Sequence, residues 1–225
     1  MKTIKKYKHF LPVVVYGIFY LKCFQYLETH ITKGYHLIHT PFDDMIPFCE
    51  FFVIPYFMWF GYIAWSVLYF GLCNKNRREY YQLIINLGIG MTAFLVISYL
   101  YPNGQNLRPT VFPRENIFTD LVRGLYLTDT PTNVFPSIHV YNSLGIHFAV
   151  MQNEQLRKNK TVQAVSFILM ISIILATMFI KQHSVFDVCT AFLLGFVMYQ
   201  LVYKRNWSKS SSSQPQKTRK KFSIE

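Results

Sequence analysis

No two cysteines in this 225-residue chain are closely spaced: Cys23, Cys49, Cys73 and Cys189 are scattered through apolar or membrane-edge stretches. That scatter suits neither a zinc site nor a disulfide framework, so the four read as packing residues. Charge is also scarce, at 15% of residues against 52% hydrophobic, which excludes an ordinary soluble domain and is normal for a membrane one. The charge there is leans basic, with a formal net of +12. A nucleic-acid binder would interleave basic and aromatic residues on one surface; here Lys and Arg stand in blocks between apolar runs, so nucleic acid is excluded as a partner. No small-residue cleavage site follows the basic start, which makes the first apolar run a membrane helix rather than a removable signal. Internal repeats are lacking, and so is any carboxylate cluster or tight histidine pair that would seat a metal; no metal or other cofactor is expected.

What is present is a set of six apolar runs, at 10–26, 51–72, 80–100, 136–152, 161–180 and 182–203. Each is read as one span of an all-α, polytopic helix bundle occupying residues 1–203. Pro55 is expected to kink the second span, and Pro136 stands at a favoured opening position of the fourth. The basic residues concentrate in the N-terminus, the turns at 74–79 and 153–160 and the tail beyond 203, all on one side of a six-span layout. By the positive-inside rule both termini lie in the cytoplasm. The Ser-rich, basic stretch 204–225 has almost nothing to bury and reads as a disordered cytoplasmic tail. In the long connection 101–135, Phe118, Leu121, Val122, Leu125 and Tyr126 fall at helical spacing opposite Asp120 and Arg123. They predict a short helix, either lying in the interface or packed on the bundle.

Chemistry gathers at the outer ends of the spans. His183 and Asp187, four residues apart, share one helix face, so the carboxylate can hold the imidazole in one tautomer and raise its nucleophilicity. His139 opens the fourth span and Arg108 lies in the preceding outer connection, at the same membrane depth. A phosphate ester fits these residue types: an arginine fork and helix N–H groups for phosphate oxygens, one histidine to attack phosphorus, another to protonate the leaving oxygen. His147 reads as a histidine packed between helices. His36, His39, Asp43 and Asp44 read as a solvated loop.

Taken in order, Arg108-Pro109, Phe135-Pro136-Ser137-Ile138-His139 and His183-x3-Asp187 resemble the three motifs of the type 2 phosphatidic acid phosphatase superfamily. That resemblance implies His183 as a nucleophile forming a phosphohistidine, Asp187 as its orienting group, His139 as general acid, and Arg108 and Ser137 as phosphate ligands. Tyr101 stands where the family has its first-motif lysine, Ile138 where it has glycine, and Ala176-Thr177 where Ser-Arg would precede the last histidine. Asn103, Gln105, Asn106 and Lys181 are candidates to replace the missing cations, with Lys181 and Asn106 foremost. These departures, with the Lys181-Gln182-His183 wording, are similar to the branch holding inositol phosphorylceramide and sphingomyelin synthases. The expectation is a metal-independent lipid phosphatase of a bacterial plasma membrane, acting on a lipid phosphate at the outer face. Its alternatives are a phosphotransferase passing a phosphoalcohol headgroup to a lipid alcohol, and a non-catalytic lipid-binding relative.

Overall fold

The computed structural model describes residues 7–204, and the expected tail at 204–225 lies outside them but for its first residue. Ten short and long elements matter for the site. Helix α1 (Leu11–His30) is followed by a two-residue strand β1 (His36–Leu37) and a five-residue helix α2 (Pro41–Met45). Next come α3 (Val53–Leu68), α4 (Arg77–Leu100), strand β2 (Asn103–Gly104) and α5 (Ile117–Thr128). The last three helices are α6 (Ile138–Gln152), α7 (Lys160–Phe179) and α8 (Val185–Tyr199). Short turns extend some of these, so that five continuous helices, Lys8–His30, Glu50–Cys73, Arg77–Leu100, Lys160–Phe179 and Val185–Lys204, are long and apolar enough to cross a membrane.

The run at 136–152 behaves differently from the other five. Its helix α6 has 15 residues and carries His139, Asn142, Ser143 and His147, all buried. It packs on α4, α7 and α8 and also touches α3, so the other helices shield its polar groups from lipid. A helix surrounded by protein can be short and polar; one facing lipid on most of its surface cannot. The bundle is therefore built around α6. Close packing allows this: a Cβ added at Gly90 would lie 1.8 Å from the Tyr141 ring, whose hydroxyl donates to the Asn86 carbonyl at 2.8 Å.

At the end of the bundle that carries His183 the connections fold back over the helices. β1 pairs in parallel with β2. Helix α5, begun by the Asn116 side chain accepting from Phe118 and Thr119 N–H groups, buries Val122 and Leu125 with Val53, Tyr56, Ala176 and Ile180. Of the two placements open from its amphipathic pattern, it takes the one packed on the bundle. Arg123 stays on its exposed side, paired with Asp120 and Glu115.

Helix α7 ends where Lys181 adopts φ 55°, the left-handed region that usually calls for glycine. The Gln182 and His183 N–H groups then both bond the Thr177 carbonyl, at 2.9 and 3.0 Å, and the chain turns directly into α8. That tight reversal is what places His183 at the mouth of the last helix.

Candidate active site

The site is made where α6 and α8 begin. Ser184 caps α8, and Asp187 at its third position accepts from the Ser184 N–H at 2.9 Å, a capping box. The same Asp187 oxygen, Oδ2, lies 3.5 Å from Nδ1 of His183. A buried carboxylate beside Nδ1 favours the tautomer with its proton on that nitrogen, leaving the lone pair on Nε2. His183 Nε2 in turn lies 3.4 Å from His139 Nδ1. The His183–Asp187 approach is long and poorly aligned for a hydrogen bond, as catalytic contacts often are before a substrate tightens them.

His139 is clamped by aromatic rings: its centroid is 4.6 Å from that of Tyr56 and 4.3 Å from that of Trp59. Ser137, two residues earlier, is fully buried and caps α6 by accepting from the Val140 N–H. With the Val140 N–H taken by Ser137, the first-turn N–H groups of α6 that have no partner among the described residues are those of Ile138 and His139, and both residues line the adjoining hollow.

That hollow has a volume of about 340 Å³. Its polar wall is His139, His183, Gln182, Asp129, Thr130, Thr132 and Asn133. Its apolar wall comes from α1 and α3, with Phe94 of α4, and at its edge Leu21, Phe57 and Phe60 are exposed to the surroundings of the bundle. Helices α1 and α3 do not pack along one another; α1 packs on α4. The hollow thus opens sideways, through the gap between the first two spans.

Arg108 stands behind this wall. Its guanidinium lies 4.3 Å over the Tyr126 ring and donates to the carbonyls of Tyr126 and Asp129 and to Oε1 of Gln182. Burial draws its pKa down and the nearby Asp129 charge partly offsets that; arginine remains a cation. Gln182 passes the connection on, its Nε2 donating to Asp129 Oδ2 at 3.2 Å, where the Tyr56 hydroxyl also donates at 2.6 Å. A connected layer of Arg108, Gln182, Asp129 and Tyr56 therefore backs the two histidines.

Of the residues singled out in the sequence, the structure brings His139, His183 and Asp187 into one cluster, with Arg108 one side chain away and Ser137 beneath His139. Lys181 and Asn106 are elsewhere. They line a separate polar hollow of about 440 Å³ with His39, Asp43 and Asp44, and the Lys181 ammonium is bonded to the carbonyls of Asp43 and Ile46. Tyr101 stacks on His36, ring centroids 4.3 Å apart, and Thr177 is fully buried with its hydroxyl on the Ile174 carbonyl. Among the described residues, no Lys or Arg lines the hollow at the histidines. His147 bonds Ser166 at 2.9 Å between α6 and α7, inside the bundle.

Sequence reasoning missed Gln182, Asp129, Tyr56 and Trp59. Gln182 carried a signal, standing between Lys181 and His183. Asp129 and the two aromatics are ordinary in sequence and meet the site only through the fold.

Neither a curated protein nor a solved structure matches the chain. A family model does, over residues 83–211, which is more than half of the chain and includes all three motif segments and both histidines. With a buried His–His–Asp cluster at the helix starts and apolar helices around it, the chain belongs to the PAP2 superfamily.

Proposed function

We propose that this protein cleaves a lipid phosphate ester through a phosphohistidine on His183. The observation that carries this reading is the sideways opening of the hollow: the two histidines face a cavity whose edge is formed by exposed apolar side chains of α1 and α3, Leu21, Phe57 and Phe60. A phosphorylated lipid can enter there with its chains still in the bilayer and its phosphate at the helix starts. Lipid-sized polar recognition is also provided for. Tyr20 Oη, Trp59 Nε1 and Asn133 Oδ1 belong to residues lining the hollow and have no hydrogen-bond partner among the described residues. They suit the ester or hydroxyl groups next to a lipid phosphate.

In the proposed sequence the two rings, whose facing nitrogens are 3.4 Å apart, separate to admit the phosphate, and its oxygens meet the free N–H groups at the start of α6. His183 Nε2 attacks phosphorus in line as the ester P–O bond breaks, and the leaving alcohol takes a proton from His139. Asp187 stabilises the charge that develops on the His183 ring. Water then attacks phosphorus, the N–P bond breaks, and the water's proton returns to His139. Arg108 acts mainly through Gln182 and Asp129, holding the polar wall in register.

A second reading, transfer of a phosphoalcohol headgroup to a lipid hydroxyl, draws support from the charge of the wall. Among the described residues the hollow has a carboxylate, Asp129, and no Lys or Arg. A dianionic phosphate monoester is poorly matched to such a wall, whereas a phosphodiester with one negative charge is better tolerated. The acceptor alone separates the two reactions.

The test is phosphate release by the detergent-purified protein from a panel of lipid phosphates, wild type beside His183→Ala. Release that disappears in the variant supports hydrolysis. No release by wild type, but headgroup transfer to diacylglycerol or ceramide from a phospholipid donor, moves the reading to the synthase-like reaction. Activity that survives intact in His183→Ala rules out both.

A further inference from the structure

We propose that Asp43, on the connection between the first two spans, is the positioning residue of the proposed nucleophile. The proposal deepens the phosphohistidine reading and rests on it for its consequence in turnover. Asp43 is the third residue of α2, where its carboxylate closes a capping box with Thr40, and only 2% of the residue is exposed. One oxygen, Oδ2, accepts from the Thr40 N–H at 2.7 Å and from the Thr40 hydroxyl at 3.1 Å. The same oxygen accepts from the Ser184 hydroxyl at 2.7 Å, and Oδ1 accepts from the Val185 N–H at 2.7 Å. Two of these four bonds reach across 141 and 142 residues of chain to the start of α8.

The opposite end of the same turn is fastened to the same segment. The Lys181 ammonium donates to the Asp43 carbonyl at 2.8 Å and to the Ile46 carbonyl at 2.5 Å. His183 is the middle residue of the five-residue turn 181–185, and both ends of that turn are tied to residues 43–46. Ser184 is the shared link: its hydroxyl reaches Asp43 while its N–H donates to Asp187 Oδ2, the oxygen that faces His183 Nδ1. A shift of Ser184 therefore moves both the imidazole and the carboxylate that orients it. Burial tends to raise the Asp43 pKa, but the bonds from Ser184, Val185 and Thr40 outweigh it and hold the carboxyl below the usual range, so the clamp is charged at neutral pH.

Asn at this position removes the negative charge from both cross-connections and turns an N–H₂ group toward either the Val185 N–H or the Thr40 N–H, so the hold on the turn weakens. The experiment uses the full chain in detergent with ¹⁵N-labelled histidine, comparing wild type, Asp43→Asn, Ser184→Ala and the neighbouring control Asp44→Asn. Wild type is expected to hold His183 in one tautomer, protonated on Nδ1. Asp43→Asn is expected to give a mixture and to lower kcat by about tenfold to a hundredfold with KM little changed. Ser184→Ala, which keeps the Val185 bond, should fall between, and Asp44→Asn should match wild type. A folded Asp43→Asn protein with one tautomer and full kcat overturns the proposal. If Asp43→Asn fails to fold, Ser184→Ala decides by the same two readouts. Should wild type turn over no lipid phosphate, the hydrolytic reading has failed, and the tautomer comparison alone decides whether Asp43 positions His183.

Discussion

A guanidinium that touches three acceptors at once cannot be replaced by an ammonium on a flexible stem. Arg108 lies flat on Tyr126 while donating to two carbonyls and to Gln182, and Gln182 lines the hollow beside His183. Arg108→Lys keeps the charge but loses the planar fork. Hydrogen bonds to charged groups contribute about 1.5–3 kcal/mol each, and losing one where it orders the catalytic wall corresponds to roughly a ten- to hundredfold drop in rate. The expected result is that fall in kcat/KM together with a lowered melting temperature. Unchanged values of both would show that Arg108 holds nothing the reaction needs. At this scale the sequence was informative in one direction only. That His183, Asp187 and His139 would lie together was legible because a four-residue spacing and two helix starts define them locally. Lys181 was misleading for the same local reason: adjacency to His183 suggested a phosphate ligand, while its left-handed backbone carries the side chain to the 43–46 carbonyls. Asp43 read as part of a solvated loop because its partners, Ser184 and Val185, are invisible without the fold.

Helix boundaries followed from hydrophobic runs wherever a helix faces lipid, because there composition and environment agree. Helix α6 is the exception that explains the bundle. Its histidines, Asn142 and Ser143 are sheltered by α3, α4, α7 and α8, so its sequence reports protein neighbours rather than lipid. The α4–α6 contact is correspondingly intolerant. Gly90→Ala places a methyl 1.8 Å from the Tyr141 ring, and that ring cannot turn aside without giving up its hydroxyl bonds to Asn86 at 2.8 and 3.1 Å. Overpacking of this kind costs about 1–3 kcal/mol. Thermal unfolding in detergent is expected to start at a lower temperature for Gly90→Ala, whereas Gly88→Ala, where an added Cβ meets nothing within 4 Å, should be near neutral. Equal melting temperatures for the two variants would contradict the close approach of α4 and α6.

Across the whole molecule, acid should loosen the His183 end of the bundle first. Asp43 has its pKa held below the ordinary carboxylate value, so the stability it contributes is complete above about pH 4 and is lost as pH falls through its folded pKa. Glu115 is held low by Arg123 as well, but that pair is exposed and screened and adds little. The melting temperature is therefore expected to be flat from neutral pH down to about pH 5 and to fall below about pH 4. In Asp43→Asn that fall should be shallower; an identical acid limb would mean other carboxylates control it.

Orientation in the membrane is a separate question, argued from charge alone. The turns at 74–79 and 153–160 carry most of the basic residues between spans, and the His183 end of the bundle lies on the opposite side from them; by the positive-inside rule we propose that the hollow faces the outer leaflet. Val111, in the connection before α5, and Lys158, before α7, are both exposed and stand at opposite ends of that arrangement. In a background with the four native cysteines replaced, Val111→Cys should react with a membrane-impermeant maleimide on intact cells, and Lys158→Cys only after permeabilisation. The reverse pattern would put the hollow on the cytoplasmic leaflet. The cluster of His139, His183 and Asp187 would be unaffected by that reversal, because its geometry is set by the starts of α6 and α8. The lipids able to slide between α1 and α3 would then be those of the inner leaflet, and the substrate panel would change accordingly.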